Sequence, residues 1–137
     1  MLITLRVYGH IIRTLLIVSF VGAVLANVGC SRPMIRVENK TPLTLNLSGS
    51  ERVEFFQIVT GDSVVWRIGP KERQSLSDIG KIVYGEIPQL CLQTIPRNGP
   101  PPPLQEGVVY SATAVIFDSG PVIIRFSVRD GTVVQSR

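Results

Sequence analysis

Residues 108–135 read VVYSATAVIFDSGPVIIRFSVRDGTVVQ, and their punctuation decides the fold class. Val108 to Phe117 is rich in β-branched residues and predicts one strand. Asp118-Ser119-Gly120-Pro121 is a turn, because Asp, Gly and Pro each supply a conformation that strands avoid. Val122 to Arg129 predicts a second strand. Asp130-Gly131 then signals a two-residue hairpin, since both of its central positions need positive φ. Thr132 to Gln135 returns as a third strand, with Arg129 opposite Thr132 and Val128 opposite Val133. Ile124, Phe126 and Val128 share one face. Arg125, Ser127 and Arg129 share the other, which predicts a solvated sheet exterior.

The same grammar runs upstream. Ile35 and Val37 alternate with Arg36 and Glu38. Leu43, Leu45 and Leu47 alternate with Thr44 and Asn46, so one face is dry and the other wet. Val53 to Val59 follows Ser48-Gly49-Ser50. Its adjacent Phe55 and Phe56 put bulk on both faces, which a central or a bulged strand tolerates. After Thr60-Gly61-Asp62-Ser63, the run Val64 to Ile68 places Val64, Trp66 and Ile68 on one face. Gly69 to Gly80 is the least apolar stretch; it has room for one helical turn, but Leu76 and Ile79 alone do not make an amphipathic helix, and it reads as loop plus a short edge strand. Ile82 to Ile87 and Leu90 to Ile95 are strand-like, divided by Pro88. Pro96 to Pro103 (PRNGPPPP) predicts a rigid polyproline segment crossing between sheets. Many short strands separated by turn signals predict an all-β chain, a small antiparallel β-sandwich.

The N-terminal segment is of another kind. Arg6 and Arg13 precede or flank the uncharged run Thr14 to Ala26 (TLLIVSFVGAVLA). A basic region before an apolar run of about 7–15 residues is the build of a signal peptide. Leu25-Ala26-Asn27-Val28-Gly29-Cys30-Ser31 resembles the cleavage site of bacterial lipoproteins, with Asn27 standing where that family mostly carries Leu. The resemblance implies that residues 1–29 are a signal peptide, that the thiol of Cys30 is lipidated, and that residues 30–137 form the working domain. Ser31 after the cysteine implies the outer membrane, with the domain facing the periplasm. Two other readings stay open: cleavage after Val24-Leu25-Ala26 to release a soluble protein, and an uncut anchor, although a span needs about 20 apolar residues.

Cysteine use separates these readings. The chain has Cys30 and Cys91 only. Lipidation consumes the first thiol and leaves Cys91 as a buried filler of the run Leu90-Cys91-Leu92. An unlipidated Cys30 in an oxidising compartment is instead free to pair with it.

Composition narrows the chemistry. The net charge of +4 includes Arg6 and Arg13, and no Asp or Glu precedes Cys30. The domain after the cysteine is thus only weakly basic and has no Lys/Arg run of the kind nucleic acid attracts, so no nucleic-acid partner is expected. The single histidine is His10. Residues 30–137 therefore have no histidine for a Ser-His-Asp or Cys-His site or for a His-bearing zinc site. Asp62, Asp118 and Asp130 sit beside or near glycine in turns, and no calcium loop is spelled out. No catalytic residue, metal ligand or cofactor is expected.

Leu104-Gln105-Glu106-Gly107-Val108-Val109-Tyr110 resembles the L-x-x-G-x-x-Y segment of fibronectin type III and other immunoglobulin-like domains. The resemblance implies a tyrosine corner, with the Tyr110 ring in the core, its hydroxyl on nearby backbone, and Gly107 making the turn. Trp66 would then be the central core aromatic. The expected function is a non-enzymatic envelope lipoprotein, held at a membrane through its lipid and binding another envelope protein. An accessory subunit of a secretion or envelope assembly is one alternative. A peptidoglycan- or carbohydrate-active enzyme using paired Asp/Glu is another, and a third is an inhibitor that plugs another enzyme with the Pro96–Pro103 loop.

Overall fold

The computed structural model describes residues 32–136. The expected signal segment, residues 1–29, and Cys30 lie outside the described residues. Nine strands form two antiparallel sheets: β1 (Met34–Glu38), β2 (Thr44–Ser48), β3 (Val53–Thr60), β4 (Ser63–Pro70), β5 (Lys81–Val83), β6 (Cys91–Ile95), β7 (Val109–Ile116), β8 (Val122–Arg129) and β9 (Thr132–Ser136). One sheet has the order β1-β2-β5 and the other β6-β4-β3-β7-β8-β9. β1 lies against β8 and β9 of the second sheet. The chain is an all-β sandwich, as the spacing of its turn signals requires.

The β8–β9 hairpin forms with the expected register, Arg129 opposite Thr132 and Val128 opposite Val133. Asp130 and Gly131 take φ of 51° and 70°, the left-handed pair that a tight hairpin turn demands. Ile35, Leu43, Leu45 and Leu47 are buried and face Phe56, Ile58, Trp66, Ile68 and Phe126 across the sandwich core. Large and small side chains meet in cross-strand pairs: Phe56 opposite Ala114, Ile58 opposite Ala112. The small inward residues of β7 thus make room for the aromatics beside them, which is how a sheet interface reaches interior packing density.

Several expectations need correction. First, β3 is both central and bulged. It pairs with β4 and β7, and Glu54 is its extra residue against β7, where Val53 faces Ile116 and Phe55 faces Val115. The slip against β4 is a bulge of β4, since Ile58 faces Trp66 while Val59 faces Val64. Val65 is the extra residue, and it is Val65 rather than Val64 that packs on the core with Trp66 and Ile68. Phe55 points to the opposite side, where the Arg67 guanidinium lies 4.7 Å from its ring centroid and donates to the Gln57 side-chain oxygen.

Second, Gly69 to Gly80 holds no edge strand. Gly69 and Pro70 finish β4, and α1 (Leu76–Ile79) is a single helical turn. Ser75 Oγ accepts from the Asp78 N–H, and the Asp78 carboxylate accepts from the Ser75 N–H. That capping box was spelled in the sequence as Ser75-x-x-Asp78 and is the signal that the apolar count missed. Third, the strand within Ile82 to Ile87 ends at Val83, because Gly85 turns the chain at φ 86°. Fourth, Pro96 to Pro103 does not pass between sheets. It joins β6 to β7, two strands of the same sheet, bridging the ends of β4 and β3 that lie between them. Ser127 also departs from its exposed face: it is buried, flanked by Val109 and Val134.

Candidate functional site

The most structured part of the surface is the end of the sandwich closed by the proline segment. Trp66 is fully buried and makes edge contacts with Phe56 and Tyr84, at centroid distances of 6.4 and 5.3 Å. A buried indole N–H needs an acceptor. The side-chain oxygen of Gln93 on β6 provides it at 2.8 Å. The amide nitrogen of Gln93 then donates to the carbonyls of Pro96 and Gly99, each at 2.8 Å. One glutamine therefore links the core to a segment whose prolines have no N–H of their own to offer.

The segment continues over Tyr84. The Tyr84 hydroxyl donates to the Pro102 carbonyl at 2.6 Å, and Pro101 is buried beside Gly85. Five residues before β7 is well under way, the corner closes: the Gln105 N–H donates to the Tyr110 hydroxyl at 2.9 Å. Gly107 takes a φ of 76°, and the Tyr110 ring stacks on Phe126 at 5.6 Å. Glu106 reaches the β8–β9 turn, where its carboxylate accepts from the N–H groups of Asp130 and Gly131.

Between these two tyrosines lies a groove of about 200 Å³, lined by Thr60, Val65, Tyr84, Pro102, Leu104 and Tyr110 among others. Small-molecule sites usually measure about 300–1,000 Å³. The groove falls below that range. Tyr84 and Pro102, which help to line it, carry no motif. The hint that was readable is an aromatic residue followed by a proline-rich run, since proline rings pack on aromatic faces.

Burial pushes the Tyr84 hydroxyl up from its ordinary 10.0 to about 12, with Tyr110 adding to the shift. Burial likewise raises the Cys91 thiol above its ordinary value. Each group keeps its proton when folded and gives it up sooner when unfolded. Stability from both is present below the unfolded values and is lost as pH rises through the folded ones. The midpoint of urea unfolding is therefore expected to fall between about pH 9 and 12, and Tyr84→Phe should flatten the upper part of that decline. A wild-type midpoint equal at pH 8 and pH 11.5 would contradict this account.

The carboxylates have local duties. Glu38 pairs with Lys40 and accepts from Asn46, and these hydrogen bonds hold its carboxyl below the ordinary value. Asp78 closes the capping box, and its bonds to Ser75 lower it too. Glu51 Oε2 is buried without a hydrogen-bond partner. Among the described residues no three acidic, histidine or cysteine side chains gather as metal ligands. Cys91 is buried at the start of β6. Cys30, the expected lipidation site, lies outside the described residues. No family model, curated protein or solved structure matches this chain.

Proposed function

We propose that this protein is an envelope lipoprotein: a β-sandwich tethered to a membrane through a lipid on Cys30, working by binding rather than by catalysis. What carries the reading is the lipoprotein-like site at Leu25 to Ser31 standing immediately before a β-sandwich domain that begins at Met34. Among the described residues, the hydrophobic core runs from Ile35 to Val133 and includes side chains from both sheets.

The partner we expect is another envelope protein. The small groove at Tyr84 and Tyr110 suits an anchoring residue of such a partner, because binding energy concentrates in few side chains set in well-packed pockets. The strand arrangement supports the immunoglobulin-like reading. Strands 1, 2 and 5 form one sheet and 3, 4, 7 and 8 belong to the other, with a tyrosine corner opening β7. Such a fold hosts many functions and specifies none of them.

Metabolic labelling with a fatty-acid analogue tests the tether. The wild-type chain is expected to carry label and to sediment with membranes. Cys30→Ala should lose the label and accumulate as the longer precursor. Equal labelling of both chains would overturn the assignment. A wild-type chain that purifies alone and monomeric from detergent-solubilised membranes would count against the binding half of the proposal.

A further inference from the structure

Met34 opens β1, and only Ser31, Arg32 and Pro33 separate it from Cys30. Four residue steps reach at most about 14 Å, even fully extended. A lipid at Cys30 thus leaves the domain no long stalk. The end of the sandwich where β1 begins must lie at the bilayer surface.

Antiparallel pairing brings specific residues to that end. Met34 faces Ser48, so the segment from Ser48 to Arg52 is there. The Phe117 N–H donates to the Arg52 carbonyl, which places the β7–β8 turn beside it. The Lys71 N–H donates to the Leu90 carbonyl just beyond the end of β4. Three large apolar side chains stand exposed at this end: Phe117 at 46%, Met34 at 39% and Leu90 at 38%. The Arg52 guanidinium lies 5.0 Å from the Phe117 ring centroid. Arg52, Lys71, Arg73 and Phe117 help to line a depression of about 330 Å³.

This mixture suits a water–lipid boundary. Aromatic and long cationic side chains bury their apolar bodies there and keep their charged heads among the headgroups. The cations share the pole with Glu54, Glu72 and Asp118, so it has no large excess of positive charge. Attachment by these groups is therefore apolar in origin and does not need anionic lipid.

We propose that this pole is a bilayer-seating surface: Phe117, Met34 and Leu90 enter the interfacial region of the membrane, and Arg52, Lys71 and Arg73 meet phospholipid headgroup phosphates. The orientation rests on the tether at Cys30 proposed above. It turns the groove at Tyr84 and Tyr110, at the other end of the strands, away from the membrane and toward a partner.

Depth-dependent quenching tests it on the full chain, purified from bacterial membranes and reconstituted into phosphatidylethanolamine–phosphatidylcholine vesicles containing lipid brominated near the top of the acyl chains. Two exposed positions are compared, F117W at the seating pole and V109W near the opposite end. Trp66 is buried and gives a constant background. F117W is expected to lose about half its added emission, as a ring held roughly 5–10 Å into the interface would. V109W should lose none, and adding phosphatidylglycerol should change neither.

Equal quenching of the two variants, or quenching of F117W only with anionic lipid, would overturn the proposal. The mass of the N-terminal peptide separates the two ideas. An acylated, vesicle-bound chain with unquenched F117W sinks the seating surface and spares the tether. A chain with no acyl group but quenched F117W sinks the tether and spares the surface. A chain that neither carries lipid nor floats with vesicles sinks both.

Discussion

Replacing Trp66 with alanine is expected to cost about 3–5 kcal/mol, the range for deleting a buried large aromatic. For a domain of this size, that lowers the thermal midpoint by roughly 15 °C or more. The side chain has no accessible surface and touches Phe56 and Tyr84 edge-on. Its removal empties the centre of the sandwich and also unties Gln93, which holds the carbonyls of Pro96 and Gly99. Trp66→Phe separates the two effects. It keeps most of the apolar volume but leaves the Gln93 oxygen without its donor, a loss of about 1–3 kcal/mol for a buried acceptor. The phenylalanine variant should therefore lie between wild type and Trp66→Ala in urea unfolding. It should also admit faster hydrogen exchange at the Asn98 and Gly99 amides. A change below about 1 kcal/mol for Trp66→Ala would remove this residue from the role of core centre.

Tyr110 gives the second large effect. Truncation to alanine removes a buried ring stacked on Phe126 and should also cost about 3–5 kcal/mol. Tyr110→Phe keeps the ring and deletes only the acceptor for the Gln105 N–H. That bond lies nearer the surface, and its loss should cost about 1 kcal/mol. The difference between the variants measures how much of the corner is packing and how much is the hydrogen bond. If the phenylalanine variant were as damaged as the alanine variant, the hydroxyl would dominate, and the order of effects argued here would be reversed. The same variant also alters one wall of the groove, so partner binding should fall more in Tyr110→Ala than stability at working temperature alone accounts for.

Much of this was legible in local sequence. Asp130-Gly131 set both the turn and the register of β8 and β9, because positive φ at two adjacent positions leaves few alternatives. Leu45 and Leu47 placed β2 face-down through period-two alternation, although Thr44, expected on the wet face, is buried as well. Leu104 to Tyr110 announced its corner by a short motif whose three fixed residues each have a job. The bulge at Val65 was not legible. It depends on how β4 meets β3, and nothing within β4 distinguishes Val64 from Val65. α1 was legible in principle through Ser75 and Asp78, since a capping box is a local signal, but counting apolar residues passes over it.

The candidate site divides in the same way. The proposed lipidation site within Leu25 to Ser31 rests on a contiguous run of residues, so its support is written wholly in sequence. The groove is not. Thr60, Tyr84, Pro102 and Tyr110 lie far apart in the chain and meet only because the end of β3, the residue after β5 and the start of β7 come to the same end of the sandwich. The seating pole likewise unites Met34, Leu90 and Phe117, which no spacing rule connects.

By itself, the sequence determined the all-β class, the strand-and-turn order of the C-terminal third and the absence of histidine after Cys30. Tertiary structure alone decided which strands share a sheet, where β3 slips against β4, and that the proline segment stays with one sheet and closes over Tyr84. The reason is range. Alternation, turn chemistry and processing motifs act through neighbours a few residues apart, whereas sheet order, bulges and grooves are set by packing between residues distant in the chain, and each such contact exists only once the others have formed.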